Sequence, residues 1–269
     1  MNTESPLGRP TSYLRQYAPE VLHAIARADS RTVLGLGEEL PFRGVDIWNA
    51  WELTWLDSDG KPAVAAIEMR IPADSINIVE SKSLKLYLDS FAMTRFVAGS
   101  DVAETIAQDL SSCAGADVSV RLHRASQARG IAHLPGDCLD EAQVVCDAYE
   151  IDSTLLEVDP DNIVREDLHS HLLRSLCPVT NQPDSGSLLV AYRGPRIERR
   201  SLLRYIVSYR EHHDFHEACV ERMFIDILER CSPEQLTVYA RYQRRGGIDI
   251  NPFRSNFEKI SPNLRLWRQ

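Results

Sequence analysis

Glu80-Ser-Lys-Ser-Leu-Lys-Leu-Tyr-Leu-Asp-Ser-Phe91 returns, 118 residues later, as Glu198-Arg-Arg-Ser-Leu-Leu-Arg-Tyr-Ile-Val-Ser-Tyr209. Glu, Ser, Leu, Tyr and Ser stay in register at 80/198, 83/201, 84/202, 87/205 and 90/208. The same offset carries Val118, Val120 and Leu122 onto Leu236, Val238 and Ala240. Two separate segments at one offset point to two related modules in tandem. Within each copy the apolar residues recur at i, i+3, i+4 and i+7. They are Leu84, Tyr87, Leu88 and Phe91 in the first, and Leu202, Tyr205, Ile206 and Tyr209 in the second. That spacing lines one face of a helix.

The flanks extend the pattern. A second helix is predicted from the stripe Val220, Met223, Phe224, Ile227 and Leu228, stopped by Ser232-Pro233. Leu236 to Tyr242 then alternates with period two, as a strand does. Ahead of the first helix, Ile47–Trp55 and Val64–Ile71 alternate around Asp57-Ser-Asp-Gly60, which has turn chemistry. The second module's hairpin runs from about Leu168 to Tyr192, with an elongated loop at Cys177–Asp184. The order is strand, strand, helix, helix, strand, with a final strand after Gly247. Helices on one face of an antiparallel sheet define an α+β class. The division reads as an N-terminal module over 1–135, an acidic connector over 136–161 and a C-terminal module over 162–269.

The 269 residues are 43% hydrophobic and 26% charged, a globular composition. A net charge of −9 argues against direct nucleic-acid binding through a broad basic surface. No apolar run approaches a membrane span. The start, MNTESPLGRPTSYLRQY, has no apolar leader core, so a cytoplasmic protein is expected. Six scattered cysteines without a CxxC pair suggest free thiols.

Chemistry concentrates in Ser175-Leu-Cys-Pro-Val-Thr-Asn-Gln-Pro-Asp-Ser-Gly186. A cysteine at a strand end, with Asp184 seven residues on, pairs a nucleophile with a proton donor for addition to an unsaturated carbon. Taken alone, a small buried cysteine is the commoner explanation. Glu80-Ser-Lys-Ser-Leu-Lys85 sets lysines at a helix N-terminus, which suits phosphate or ordinary capping. Arg244-Arg-Gly-Gly247 suits another phosphate or a plain basic turn. His216-Glu217 begins a helix, where the carboxylate can accept two N–H bonds from a guanine-like edge. Gly35-Leu-Gly37 lacks the strand–helix context of a dinucleotide fingerprint, so a nicotinamide cofactor would bind without a Rossmann fold.

Together these segments resemble the 7-cyano-7-deazaguanine reductases in their longer, two-module type. The resemblance rests on Glu80–Tyr87, Cys177–Asp184, Phe215-His-Glu217 and Arg244–Gly247. It extends to Asp46-Ile-Trp-Asn-Ala-Trp51, Ile71–Ile78 and Asp249–Ser255, and so spans most of the chain from about residue 40. It implies two tunnelling-fold modules of ββααββ type. It implies NADPH-dependent reduction of a deazapurine nitrile to the aminomethyl group in queuosine biosynthesis, with no metal. By the same resemblance, Cys177 forms a thioimide and Asp184 donates the proton. Val79, Glu80, Ser81, His216 and Glu217 contact substrate, with Glu217 anchoring the heterocycle. Ser81, Lys82, Arg245 and Gly246 contact NADPH. One active site per chain and a homodimer follow from the family pattern. Two alternatives stay in view. One is a zinc-dependent cyclohydrolase-like enzyme using His169, His171 or His212 with Cys177; the other is a non-catalytic purine-binding module.

Overall fold

The computed structural model describes residues 14, 16–127, 130–259 and 262–269; residues 1–13 of the N-terminal stretch read for a leader lie outside them. The chain forms two compact units. Of the described residues, those within 1–32, 46–130 and 244–249 make up the first, and those within 33–45, 131–243 and 250–269 the second.

The first unit contains β1 (Ala24–Ala26), α1 (Arg27–Val33), β2 (Arg43–Leu56), β3 (Pro62–Pro72), β4 (Asn77–Val79), α2 (Ser81–Asp89), α3 (Gly99–Ala114) and β5 (Ser119–His123). Neighbouring strands run β5–β3–β2, and β1 pairs separately with β4. The β2–β3 turn closes as its residue types require. Asp57 Oδ1 accepts from Asp59 N and Lys61 N, an arrangement that aspartate supplies to its own turn. Leu84, Tyr87, Leu88 and Phe91 are all buried, so the predicted α2 stripe faces the core.

The second unit contains β6 (Asp137–Cys138), β7 (Val158–Leu176), β8 (Pro183–Ile197), α4 (Arg199–Ser208), α5 (His216–Cys231), β9 (Gln235–Tyr242) and, from Ile250 on, β10 (Ile248–Ser255). From β7 onward the order is ββααββ. The pairing is antiparallel along β7–β8–β9–β10, but β6 runs parallel to β7, so this sheet is mixed. β7 and β8 extend well beyond the 168–192 read from sequence, and β7 begins inside the stretch read as connector.

The repeat has a one-residue slip. α2 and α4 match at an offset of 118, whereas α3 and α5 match at 117. The shifted register aligns the buried stripe Val102, Ile106, Leu110 and Ala114 with Cys219, Met223, Ile227 and Cys231. It also aligns two tyrosine–aspartate bonds between the helices: Tyr87 OH donates to Asp109 at 2.5 Å, and Tyr205 OH to Asp226 at 2.7 Å. Burial, the largest effect at both tyrosines, pushes each phenol up, so each remains protonated and able to donate.

β9 is buried on both faces. Leu236, Val238, Ala240 and Tyr242 form one alternating row. The other row meets the C-terminal segment: Thr237 Oγ1 bonds Glu258 at 2.6 Å, Tyr239 OH bonds Pro262 O at 2.8 Å, and Arg241 donates to Asn263 and Gln269. A strand with two buried faces loses the polar alternation of a half-exposed one. Among the described residues no helix is long and apolar enough to cross a membrane.

Candidate active site

β7 ends at Leu176 and β8 begins at Pro183, so Cys177 is the first residue off the strand. The loop closes on itself: Cys177 N donates to Gln182 O at 2.9 Å, and Asn181 N donates to Cys177 O at 3.0 Å. Asn181 adopts a left-handed φ of 56°, which asparagine tolerates better than most residues. Across the hairpin Ser175 faces Asp184. Strand alternation puts Cys177 on the face of Ser175, diagonal to Asp184. A one-residue register shift between Ser170 and Leu173 makes this so. Without it Arg174 would face Asp184, and the cysteine would fall on the opposite face.

Asp184 is 4% exposed, and its Oδ2 lies 3.3 Å from His216 Nε2. The imidazole stacks on the Tyr242 ring with centroids 3.8 Å apart and planes at 20°. His216 Nδ1 is buried without a partner among the described residues. Glu217, 3% exposed, follows in the first turn of α5, where the helix dipole favours a carboxylate. Two backbone bonds tie the segment before α5 to the end of β7, Leu176 N to His212 O at 2.8 Å and Asp214 N to Leu176 O at 3.2 Å. Cys177, Asp184, His216 and Glu217 therefore belong to one cluster of elements in the second unit.

The other thiols lie in different surroundings. Burial raises the Cys113 thiol and pushes Cys231 up to about 12. Cys219 is driven well up, by burial first and then by the charge of Asp214. Such thiols are poor nucleophiles near neutrality. Cys177 is half-buried in a surface loop.

The first unit holds the remaining sequence-read residues. Val79 ends β4 and is buried. Glu80 caps α2: its Oε1 accepts from Lys82 N at 2.6 Å and its Oε2 from Ser83 N at 2.8 Å. Two first-turn N–H groups are thus committed to Glu80, so an anion at this helix meets mainly side chains. Ser81 is the first helical residue, and Lys82 and Lys85 share a face at i, i+3. Arg245 and Ile248 exchange backbone bonds at 2.8 and 3.2 Å around Gly246 (φ 58°) and Gly247 (φ 82°). Two consecutive positive φ values mark a type I′ turn, which accounts for both glycines. A Cβ at Gly246 would lie 3.1 Å from the Lys85 stem, so the basic turn and the lysine face of α2 adjoin.

Lys85, to which the resemblance assigns no role, shares this face with Lys82. The Asp46–Trp51 and Asp249–Ser255 stretches meet at Asp249. Asp249 accepts from Asn49 Nδ2 at 2.7 Å and from Trp51 Nε1 at 2.6 Å, and Trp51 N donates to Gly247 O. These bonds anchor the Arg244–Gly247 turn within the first unit. His169 and His171 gather with Cys138, and among the described residues Cys177 joins no group of three potential metal ligands.

A family model described as nitrile reductase, 7-cyano-7-deazaguanine-reductase N-term, matches residues 13–122. A second, described as QueF-like protein, matches residues 183–261. Among solved structures, the archaeosine synthase QueF-Like in its apo form is 19% identical over 36% of this chain and 96% of that chain, with a TM-score of 0.32. That likeness is too slight to carry an argument. The two family matches follow the two repeats in order and together take in most of the chain. The chain therefore belongs to the NADPH-dependent 7-cyano-7-deazaguanine reductases, the nitrile reductases of queuosine biosynthesis, in their long form with two tunnelling-fold domains.

Proposed function

We propose that Cys177 reduces the nitrile barrier by covalent addition, with Asp184 as proton donor. The observation that carries this reading is the placement of Asp184 opposite Ser175, on the face that Cys177 continues, with His216 behind the carboxyl. The Cys177 sulfur attacks the nitrile carbon, an S–C bond forms, and the nitrile nitrogen takes the proton held by Asp184. The thiol's own proton returns to the Asp184–His216 pair. The product is a thioimide, a better electrophile than the nitrile. NADPH supplies one hydride to each of the two reductions. After the first, the C–S bond breaks and Cys177 leaves as thiolate, leaving an imine that the second reduction converts to the amine. In sum, one nitrile, two NADPH and two protons give one amine and two NADP⁺. Glu217 accepts the N–H edge of the heterocycle, with Val79, Glu80 and Ser81 as further substrate contacts.

The residues present suit the cofactor. Lys82, Lys85 and Arg245 supply cationic groups near one turn of the first unit, the donor chemistry that a 2′-phosphate requires. Ser81 and Gly246 complete the set. Six free cysteines fit a reducing compartment, so the reading extends to a cytoplasmic enzyme, and the family's sheet-to-sheet association makes it a homodimer.

The test uses substrate without NADPH. Mixing the enzyme with 7-cyano-7-deazaguanine alone should raise the protein mass by one substrate, mapped to Cys177. Asp184→Asn should slow that addition by about 10²–10⁴-fold, the usual weight of a positioned proton donor. NADPH added afterwards should discharge the adduct with two cofactors oxidised per amine. Reduction without any adduct, or an adduct on another cysteine, overturns the proposal.

A further inference from the structure

We propose that Cys138, His169 and His171 form a second site in this enzyme, one that binds a thiophilic divalent cation of the Zn²⁺ class. The Cys138 sulfur and one nitrogen from each imidazole lie within 4.8 Å of one another. Tetrahedral zinc with nitrogen and sulfur ligands at about 2.0–2.3 Å spaces its ligand atoms by ~3.3–3.8 Å. A shift of about 1 Å, available to an exposed cysteine, closes that gap.

The site is constructed rather than incidental. Cys138 pairs with His169 across the parallel β6–β7 contact, so the sheet itself places thiol and imidazole side by side. Each ring is oriented through its other nitrogen. His169 Nδ1 bonds Pro135 O at 3.0 Å, and His171 Nδ1 bonds Ser187 Oγ at 2.8 Å. Those contacts leave Nε2 of both rings to a metal, the outer-shell arrangement typical of ligating histidines. The segment bearing Cys138 is pinned to β7. A Cβ at Gly136 would fall 1.8 Å from Asp167 O, so only glycine permits the approach. Leu139 N donates to His169 O at 2.8 Å, and Asp140 accepts from Ser170 Oγ at 2.7 Å and from His171 N.

Three protein ligands leave a fourth position to solvent. A cation there clamps the short β6 onto β7 and fixes the chain leading into the hairpin that bears Cys177. The reduction does not use it, so its chemistry is structural and tied to Cys138.

The experiment loads metal-stripped, tag-free enzyme with Co²⁺ and then displaces it with Zn²⁺. One equivalent of Co²⁺ should give a near-ultraviolet thiolate-to-cobalt charge-transfer band. Cys138→Ser should abolish that band, and His171→Ala, which removes a ligand outright, should weaken Co²⁺ binding by more than the roughly 10- to 100-fold that loss of an outer-shell partner costs. Ser187→Ala, which removes the orienting bond together with the Arg268 contact to the same oxygen, should cost about 10- to 100-fold. Cys177→Ser should leave the band intact. In wild-type enzyme Zn²⁺ should also protect Cys138 from alkylation, read by mass mapping, so the result stands even if a ligand variant fails to fold. Absence of the band, survival of the band in folded Cys138→Ser, its loss in Cys177→Ser, or alkylation of Cys138 unaffected by Zn²⁺ would each overturn the site.

Discussion

The two repeats share a scaffold and differ in the residues they set at its strand and helix ends. The β2–β3 hairpin closes with a tight aspartate turn. Its counterpart β7–β8 opens into the Cys177–Gln182 loop. α3 begins with Gly99-Ser100, where α5 begins with His216-Glu217. At the paired N-termini of α2 and α4 the contrast reverses. Lys82 and Lys85 on α2 correspond to Arg200 and Leu203 on α4, and Leu203 is buried. Arg199, in the place of Ser81, donates to Asp137 at 2.7 Å and to Glu166 at 3.1 Å. The second repeat commits its helix-start cation to ion pairs with Asp137 and Glu166 and carries the thiol loop; the first carries the lysines and a tight aspartate turn. The shared Tyr–Asp bonds and helix stripes give both repeats the same packing, so the differences are confined to the ends of strands and helices.

The sharpest way to break this comparison is to remove the nucleophile. Cys177→Ala should lower kcat on the order of 10³-fold or more while substrate affinity and Tm stay near wild type. The other thiols lie in surroundings that raise them or outside the β7–β8 hairpin, so none can substitute. Substantial turnover by the alanine variant, followed as amine formation, would place the essential chemistry elsewhere.

That placement was only partly legible in the chain. Helix stripes and the 118-residue offset follow from side-chain periodicity, which local sequence records directly. The register shift between Ser170 and Leu173 leaves no such mark, because His171 and Leu172 carry no turn or glycine signal, yet it decides which face Cys177 takes. The slip to 117 at α3/α5 was equally invisible, since Phe224 and Met223 are both apolar and either register looks like a stripe. The C-terminal segment over β9 was missed for a related reason: alternation reports one buried face and cannot say what covers the other. That Lys85 adjoins the Arg244–Gly247 turn was equally hidden, because Gly246 lies far along the sequence.

A middle-sized effect tests the lysine half. Lys82→Ala and Arg245→Ala should each raise the KM for NADPH by roughly 10- to 150-fold, the loss of one charge-assisted contact at about 1.5–3 kcal/mol. KM for the nitrile should change far less. Arg200→Ala, at the position matching Lys82 on the exposed start of α4, should leave both constants alone. Saturation kinetics in NADPH settle it. Unchanged cofactor KM in both first-repeat variants would remove the phosphate site from that turn, and a rise in Arg200→Ala would dissolve the asymmetry.

The smallest expected effect concerns the residue the two repeats hold in common. Glu80 and Glu198 both cap their helices, but in different settings. Glu80 is fully buried and engages two N–H groups, whereas Glu198 is exposed and engages Ser201 N alone, at 2.6 Å. Removing a helix cap costs about 0.5–2 kcal/mol. Glu198→Ala should fall near the lower end, because solvent replaces the lost acceptor. Glu80→Ala should fall near the upper end, because it strands two donors where water has little access. Thermal unfolding of both variants gives that ranking. Activity then separates capping from recognition: if Glu80 also touches substrate, Glu80→Ala should raise the nitrile KM beyond any change in Glu198→Ala, and Glu80→Gln should restore much of the stability while binding stays weak. Equal KM values in all three variants would confine Glu80 to the cap and leave substrate recognition to Glu217.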